Sequence, residues 1–429
     1  MENESGVGVK ALGLGNAFVA AADDYTATYW NPAGLTMLNK SELNADIYHL
    51  QFNNEATYLG STLLDERKFT KLNSIGLAYK FPTSQGSFVL SFGYNRFKDL
   101  EDFMYFSGYS VISNGLEFEL ENDSGEFNYY PFDSNVLRTE EITQDGNLSA
   151  WSVAGGVMLA KNLALGMTIN FYSGSSHYIF DFYQDDIDDL YTEYPANYES
   201  YELHQRIDSD FSGWGVKIGG LYHLSENLRL GMTVDLPSSV NVLENYGSSD
   251  GLYFDDGYAS EIDDEPGEWE YKISYPFKFS GGAALDLNLL LVAASFEYRD
   301  WSQVKFEKPD GRSMSADYQS LLDENVYFTD TFQPVLSYSA GAEIRIPGTG
   351  VRLRGGYQYV PSPYIDATEE EAREYFSAGF GYDTGGDAAI NVGIRQGYWK
   401  RNSFDDFTPG GTLEDIVTTK FMAGITIRM

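Results

Sequence analysis

Leu163-Ala-Leu-Gly-Met-Thr-Ile-Asn-Phe171 puts Leu163, Leu165, Met167, Ile169 and Phe171 on one side of an extended chain, and Ala164, Gly166, Thr168 and Asn170 on the other. A period of two is the signature of a β-strand, here with one apolar face and one small or polar face. The pattern returns where Leu228, Leu230, Met232, Val234 and Leu236 alternate with Arg229, Gly231, Thr233 and Asp235. Ile390, Val392 and Ile394 alternate with Asn391, Gly393 and Arg395, and Phe421, Ala423, Ile425 and Ile427 with Met422, Gly424, Thr426 and Arg428. Segments 214–224, 338–345 and 376–382 read the same way. Each is about ten residues long, the length a tilted strand needs to cross a bilayer.

The connections alternate in length. Residues 84–86, 161–162, 225–227, 286–288, 347–350 and 384–387 read as tight hairpin turns, and the polar stretches 53–71, 101–147, 183–199, 244–268, 307–330, 361–374 and 402–417 as long loops. Seven long loops and six short turns join fourteen strands. The expected fold is therefore all-β: a 14-stranded antiparallel transmembrane β-barrel with short periplasmic turns and long acidic external loops. Closure follows because only a closed sheet satisfies every backbone hydrogen bond in lipid. A soluble sandwich or propeller from a salt-loving organism competes with this reading, but no blade repeat is present. In the first strand, 42–52, Asp46 and His49 interrupt both faces.

Composition narrows the function. The 64 Asp and Glu against 28 Lys and Arg give a net charge of −36 and exclude a nucleic-acid binder, which needs a basic face. The 33 Tyr and 28 Phe argue against disorder. Cysteine is absent, and His49, His177, His204 and His223 stand in no nucleophile setting, so neither catalysis nor a cofactor is expected. Acidic pairs Asp185-Asp186 and Asp263-Asp264 are the weak Ca²⁺ candidates; they lack EF-hand spacing and read better as solvated loop. Trp151, Trp214, Trp269, Trp301 and Trp399 fall near strand ends, where interfacial girdles belong. Met1-Glu-Asn-Glu-Ser5 is acidic with no apolar core, as expected of an exported chain whose signal peptide has been removed.

Residues 1–40 do not read as barrel. They are rich in small residues, with short helical possibilities at 17–22 and 33–38, and suit a plug inside the lumen of the barrel formed by residues 41–429. Asn31 is placed to cap a helix that Pro32 starts. Three stretches, Ala11-Leu-Gly-Leu-Gly-Asn-Ala-Phe18, Ala22-Asp-Asp24 and above all Asn31-Pro-Ala-Gly-Leu35, resemble the hatch of the FadL/TodX-type (OMPP1) outer-membrane transporters of hydrophobic compounds. Further support comes from Leu353 to Tyr359 with Pro361-Ser-Pro363, and from Phe376 to Tyr382, which are similar to the family's carboxyl-terminal strands.

That resemblance implies a monomeric barrel in the bacterial outer membrane, embedded in lipid and lipopolysaccharide. It implies passive uptake of long-chain fatty acids or aromatic and aliphatic hydrocarbons through hatch movement and lateral opening at a kinked third strand. Asn31, Pro32, Ala33 and Gly34 are then the expected hatch and gating residues, and Gly93, in the third predicted strand, is the candidate for the kink. Leu14, Phe18 and Val19 from the hatch, and Phe103 and Phe106 from the longest loop, are candidate ligand contacts. A carboxylate inside the barrel would need a cation; Arg229, Arg352 and Arg354 are the leading lumen-facing candidates, with Lys217, Lys278 and Arg395. They also suit plain ion pairing with Asp235, Asp286 or Glu343. The acidic loops present any carboxylate with an anionic rim, and the chain ends in Met429 where such barrels often carry an aromatic. The alternative expectation is a hatch-bearing barrel that serves a protein secretion system as partner or scaffold; aromatic side chains between Phe103 and Phe132 forming a groove into the lumen favour transport.

Overall fold

The computed structural model describes residues 6–385 and 387–429. Met1 to Ser5, and Gly386 in the 384–387 turn, lie outside the described residues, and with them the expectation about the mature terminus.

Fourteen strands close into a barrel. They are β1 Glu42–Tyr58, β2 Ser61–Phe81, β3 Phe88–Asp99, β4 Val136–Ala160, β5 Leu163–Asp185, β6 Tyr198–His223, β7 Leu228–Asp235 continued by Ser238–Phe254, and β8 Gly267–Tyr275 continued by Lys278–Asp286. The rest are β9 Leu290–Asp300, β10 Pro334–Arg345, β11 Val351–Val360, β12 Arg373–Asp383, β13 Ala388–Ser403 and β14 Thr412–Arg428. Every neighbour is antiparallel, and β14 returns to β1 in a ladder running from Glu42↔Arg428 to Thr57↔Leu413. Strands β7 and β8 break opposite each other, at Pro237 and Pro276, because proline has no N–H to give the ladder.

Alternation decides which side chains meet lipid. Leu165, Met167, Phe171, Trp214, Met232, Val292, Ile390, Val392, Phe421 and Ile425 all point outward and are exposed. A belt of that extent on every strand is a membrane surface. Only Trp151 and Trp214 of the five expected girdle tryptophans belong to it. Trp301 and Trp399 line a chamber in the lumen, and Trp269 stacks on Tyr318, 4.8 Å between centroids, in the helical loop after β9. Their register, one residue out of phase with the outward positions, corrects the expectation.

Two further expectations change. Asp46 does not spoil β1: it faces the lumen with Glu42, Asn44 and Tyr48, accepting hydrogen bonds from Ser74 Oγ and Asn44 Nδ2 at 2.7 Å each. Residues 53–71 are not a loop, since β1 and β2 run on to a two-residue turn, Leu59-Gly60, with both φ positive. Much of 402–417 and 244–268 is likewise strand. Above the membrane both faces of a strand are wet, so the apolar alternation that marks the buried part disappears while the ladder continues.

Inside, the hatch runs through α1 Val9–Gly13, α2 Ala27–Trp30 and a 3₁₀ turn Pro32–Met37. Leu14, Phe18, Tyr25 and Leu35 are fully buried in one cluster with strand residues Ala78, Val89, Ala154 and Ala284. At about 1.5–3 kcal/mol per large side chain, these four hold the hatch firmly. Its backbone lies against strand glycines: a Cβ on Gly166 would sit 2.3 Å from the Pro32 carbonyl carbon, and one on Gly341 2.3 Å from Leu14 O. The small face read in the sequence is thus the socket of the hatch.

On the external side β4 to β7 rise beyond the lipid belt and enclose a second core of Phe132, Phe182, Tyr198, Tyr201 and Phe254. Arg138 is buried there without a carboxylate, donating to Gln184 Oε1 at 3.0 Å, Ser110 Oγ at 2.9 Å and Ile112 O at 3.0 Å.

Candidate ligand-binding site

A chamber of about 310 Å³ lies between the hatch and the barrel wall on the external side. Asn16, Val19, Tyr29 and Trp30 of the hatch form part of its lining. Its walls come from β6 and from β8 to β13; inward positions bring Lys217, Lys278, Arg299, Arg373, Arg395 and Arg401 together, with Lys400 at the rim, against three carboxylates, Asp102, Glu297 and Glu371. In a chain with more than twice as many acidic as basic residues, that inversion of sign is local and specific. The cations lie on aromatic faces: Arg395 on Tyr375 at 4.6 Å, Arg373 on Trp399 at 5.0 Å, Arg299 on Trp301 at 4.8 Å, and Lys217 on Tyr29 at 5.0 Å. Such stacking keeps a guanidinium partly desolvated while leaving its N–H edge available.

The cations differ in how far they are neutralised. Asp235 sits 3.5 Å from Lys217 and 3.8 Å from Lys278. Arg401 is held bidentate by Asp102 at 2.6 and 3.0 Å and by Glu414 at 2.7 Å. Among the described residues no carboxylate lies within ion-pair distance of Arg395. A chamber that mixes aromatic faces with cations, one of them a guanidinium with no ion-pair partner among the described residues, suits a molecule with a hydrophobic body and an anionic head.

Beside the chamber the wall has a seam. β2 pairs with β3 only between Ser74↔Asn95 and Phe81↔Phe88. Above that point β2 keeps only β1 as ladder partner among the described residues, while Asp102–Ser110 runs along β4. Two bulges mark the parting. Asn73 is the extra residue on β2, and Phe97 the extra residue on β3, between Arg96 and Lys98. Side chains bridge the seam instead of backbone: Lys71 pairs with Glu101, Arg67 with Glu141 at 2.9 Å, and Phe69 meets Phe103 at 6.4 Å. The bulge turns Asn73 inward, where it accepts from Gly8 N at 3.2 Å and donates to Gly6 O at 3.1 Å. The described start of the hatch is therefore tied to the foot of the seam.

The residues expected from sequence fall in three places. Asn31 is fully buried; its Oδ1 accepts from Ala33 N at 3.1 Å, and its Nδ2 donates to Val19 O at 2.9 Å and to Gly220 O of the wall at 3.1 Å. Pro32, Ala33 and Gly34 follow it against the wall, and a Cβ on Gly34 would sit 2.5 Å from Ala22 O. Gly93 makes room for Tyr25, whose Oη would be 2.1 Å from an added Cβ; the irregularity of β3 falls beyond it, at Phe97. Val19 lines the chamber, whereas Leu14 and Phe18 are packed beneath it. Phe103 joins a cluster with Phe52, Ile416 and Trp399 that reaches the chamber, and Phe106 packs on Tyr58 instead. Arg229, Arg352 and Arg354 line a different cavity below the hatch, and Arg354 is paired there with Glu343 at 2.7 Å. Asp264 accepts from Ser248, Asp186 accepts from Tyr191 N at 2.7 Å, and no group of three or more metal-ligating side chains forms among the described residues. Sequence reasoning missed Tyr29, Trp30, Asn73, Arg299 and Arg373. For Arg299, the aromatic two residues away, Trp301, was the available signal; Arg373 stacks on Trp399 of the neighbouring strand, which no local pattern shows.

The chain matches, over residues 142–421, the family described as outer membrane protein transport protein (OMPP1/FadL/TodX). It belongs to that family, a group of outer-membrane transport barrels and not of enzymes. No curated protein sequence matches it. Among solved structures it is similar to the toluene transporter TodX of P. putida, at 13% identity over 100% of this chain and 99% of that one, TM-score 0.63. It is also similar to a FadL homologue of Pseudomonas aeruginosa, at 12% identity over 98% of each chain, TM-score 0.61. The toluene transporter TbuX of Ralstonia pickettii gives 12% identity over 100% of each, TM-score 0.58. At these identities the likeness concerns the fold.

Proposed function

We propose that this barrel takes up hydrophobic molecules bearing an anionic head, of the long-chain fatty acid kind, by passive diffusion and as a monomer. The observation that carries the reading is Arg395, stacked on Tyr375 with no carboxylate at ion-pair distance among the described residues, in a chamber where cations outnumber anions. A neutral hydrocarbon has no use for that charge. A carboxylate gains charge-assisted hydrogen bonds from it, while its chain lies against Tyr29, Trp30 and Trp399. The acidic external loops slow the approach of an anion without changing the affinity of the chamber beyond them.

The test is fluorescence competition with a long-chain carboxylate, its methyl ester and toluene. Tightest binding is expected for the acid, and Arg395→Gln should weaken it about tenfold or more while leaving toluene unchanged. Equal binding of acid and ester, with no effect of the substitution, points to a hydrocarbon channel.

Release through the seam is part of the same proposal. It rests on the loss of the ladder between β2 and β3 above Asn95 and on the tie from Asn73 to the hatch. The chain has no cysteine of its own, so Lys71→Cys and Glu101→Cys joined by a short thiol cross-linker lock the seam alone. Uptake by reconstituted vesicles should stop on cross-linking and return on cleavage of the linker. Uptake that continues through the locked seam refutes lateral release.

A further inference from the structure

Below the hatch, on the side of the short turns, a second cavity of about 410 Å³ opens among charged side chains. Nearly every cation in it is spoken for. Lys10 pairs with Asp23, Lys40 with Asp387 at 2.9 Å, Arg352 with Asp383 at 3.3 Å, and Arg354 with Glu343 at 2.7 Å. Arg428 pairs with Asp383 at 2.9 Å and with Glu42 at 3.1 Å. Arg229 is different. Its side chain is 6% exposed, its Nε is buried with no hydrogen-bond partner, and no carboxylate lies within ion-pair distance among the described residues. The acids nearby are engaged elsewhere: Asp23 by Lys10, and Asp286 through both oxygens by Arg345, at 2.8 and 3.0 Å.

A second donor stands beside it. His223 is the ladder partner of Arg229 across β6 and β7, so both side chains project to the same face, and His223 Nε2 is also buried without a partner. Contrast Arg138, equally buried, whose guanidinium is fully occupied by neutral acceptors. A buried cation with an idle N–H edge is costly unless something occupies it. The side of a guanidinium formed by Nε and one Nη is the geometry that takes two oxygens of one anion in parallel.

We infer that this vestibule is a binding site for a compact oxyanion, a carboxylate or a phosphate, held side-on by Arg229 and by His223 Nε2 and admitted from the periplasmic side. The hydrophobic cargo is not the occupant: among the described residues Met37, Ala389 and Tyr382 are the only apolar or aromatic ones lining the cavity, and the hatch separates it from the chamber. The site is independent of the uptake proposed above.

Titration calorimetry on the full chain in detergent tests the inference, with inorganic phosphate and acetate as probes against chloride at equal ionic strength. One saturable site per chain is expected for at least one probe. Binding of phosphate alone assigns a phosphate site, and binding of acetate a carboxylate site. Arg229→Gln should weaken it about tenfold or more, His223→Gln about threefold to tenfold, and Arg395→Gln in the upper chamber should leave it intact. If Arg229→Gln does not fold, His223→Gln and Arg229→Lys carry the test, the latter keeping the charge and losing the fork. No saturable binding of either probe overturns the inference. So does binding indifferent to Arg229 and His223, or binding lost in Arg395→Gln.

Discussion

Asn31→Asp is the sharpest perturbation of the hatch, because it changes one group and little volume. In the native chain Nδ2 donates to Val19 O at 2.9 Å and to Gly220 O at 3.1 Å, joining the two ends of the hatch loop to each other and to β6. The substitution keeps the oxygen that caps Ala33 N and replaces the donor by a carboxylate oxygen facing two carbonyls. Each stranded buried acceptor costs about 1–3 kcal/mol, so the two together cost about 2–6 kcal/mol before any charge repulsion is added. At 1.4 kcal/mol per decade this shifts the docked equilibrium of the hatch by about 30-fold or more. Hydrogen exchange read by mass spectrometry should show that loss of protection across residues 17–34, with strand peptides unchanged and the barrel still heat-modifiable on gels. Asn31→Ser, which loses the donors without adding charge, should fall between. Native protection in a folded Asn31→Asp barrel would falsify the claim that this side chain fastens the hatch to the wall.

Gly93→Ala places a methyl 2.1 Å from Tyr25 Oη and 2.5 Å from Ile75 O; it should lower the urea midpoint of unfolding by the equivalent of about 1–3 kcal/mol, and an unchanged midpoint contradicts the socket role. Met232→Arg puts a charge in the lipid belt, where Met232 is 66% exposed; a loss of about 2–4 kcal/mol in vesicle unfolding titrations is expected, and its absence moves β7 out of the membrane. Glu140 lies about 35 Å along β4 beyond Trp151, outside the membrane. Burial first, then the charges of Asp405 and Glu414, push its carboxyl up to about 9. The folded state therefore binds a proton that the unfolded chain has released, and stability falls as pH rises from the ordinary carboxylate range towards 9. Proteolysis within 404–411 should accelerate from pH 6 to pH 9 in the native chain and stay level in Glu140→Gln; a parallel rise in both refutes the role of Glu140.

Period-two alternation made the barrel legible, since lipid on one side and hatch on the other impose opposite demands on successive residues. Leu165, Met167 and Phe171 could only face outward together. Asn31 was legible too, because capping is a local interaction between residues two apart. The sequence by itself determined the strand count, the inward position of Arg395 and the presence of a plug. What it could not reveal depends on the register of each strand against its neighbours. Asp46 reads as a flaw in β1 until Ser74 is beside it. The bulges at Asn73 and Phe97 leave no trace in composition, yet they open the seam. Only tertiary structure decided that Arg354 meets Glu343 while Arg229 and Arg395 pair with no carboxylate among the described residues. Alternation sends every one of these cations into the lumen; which acid each one finds there is settled by the register of neighbouring strands, as where Arg354 lies directly across the ladder from Glu343.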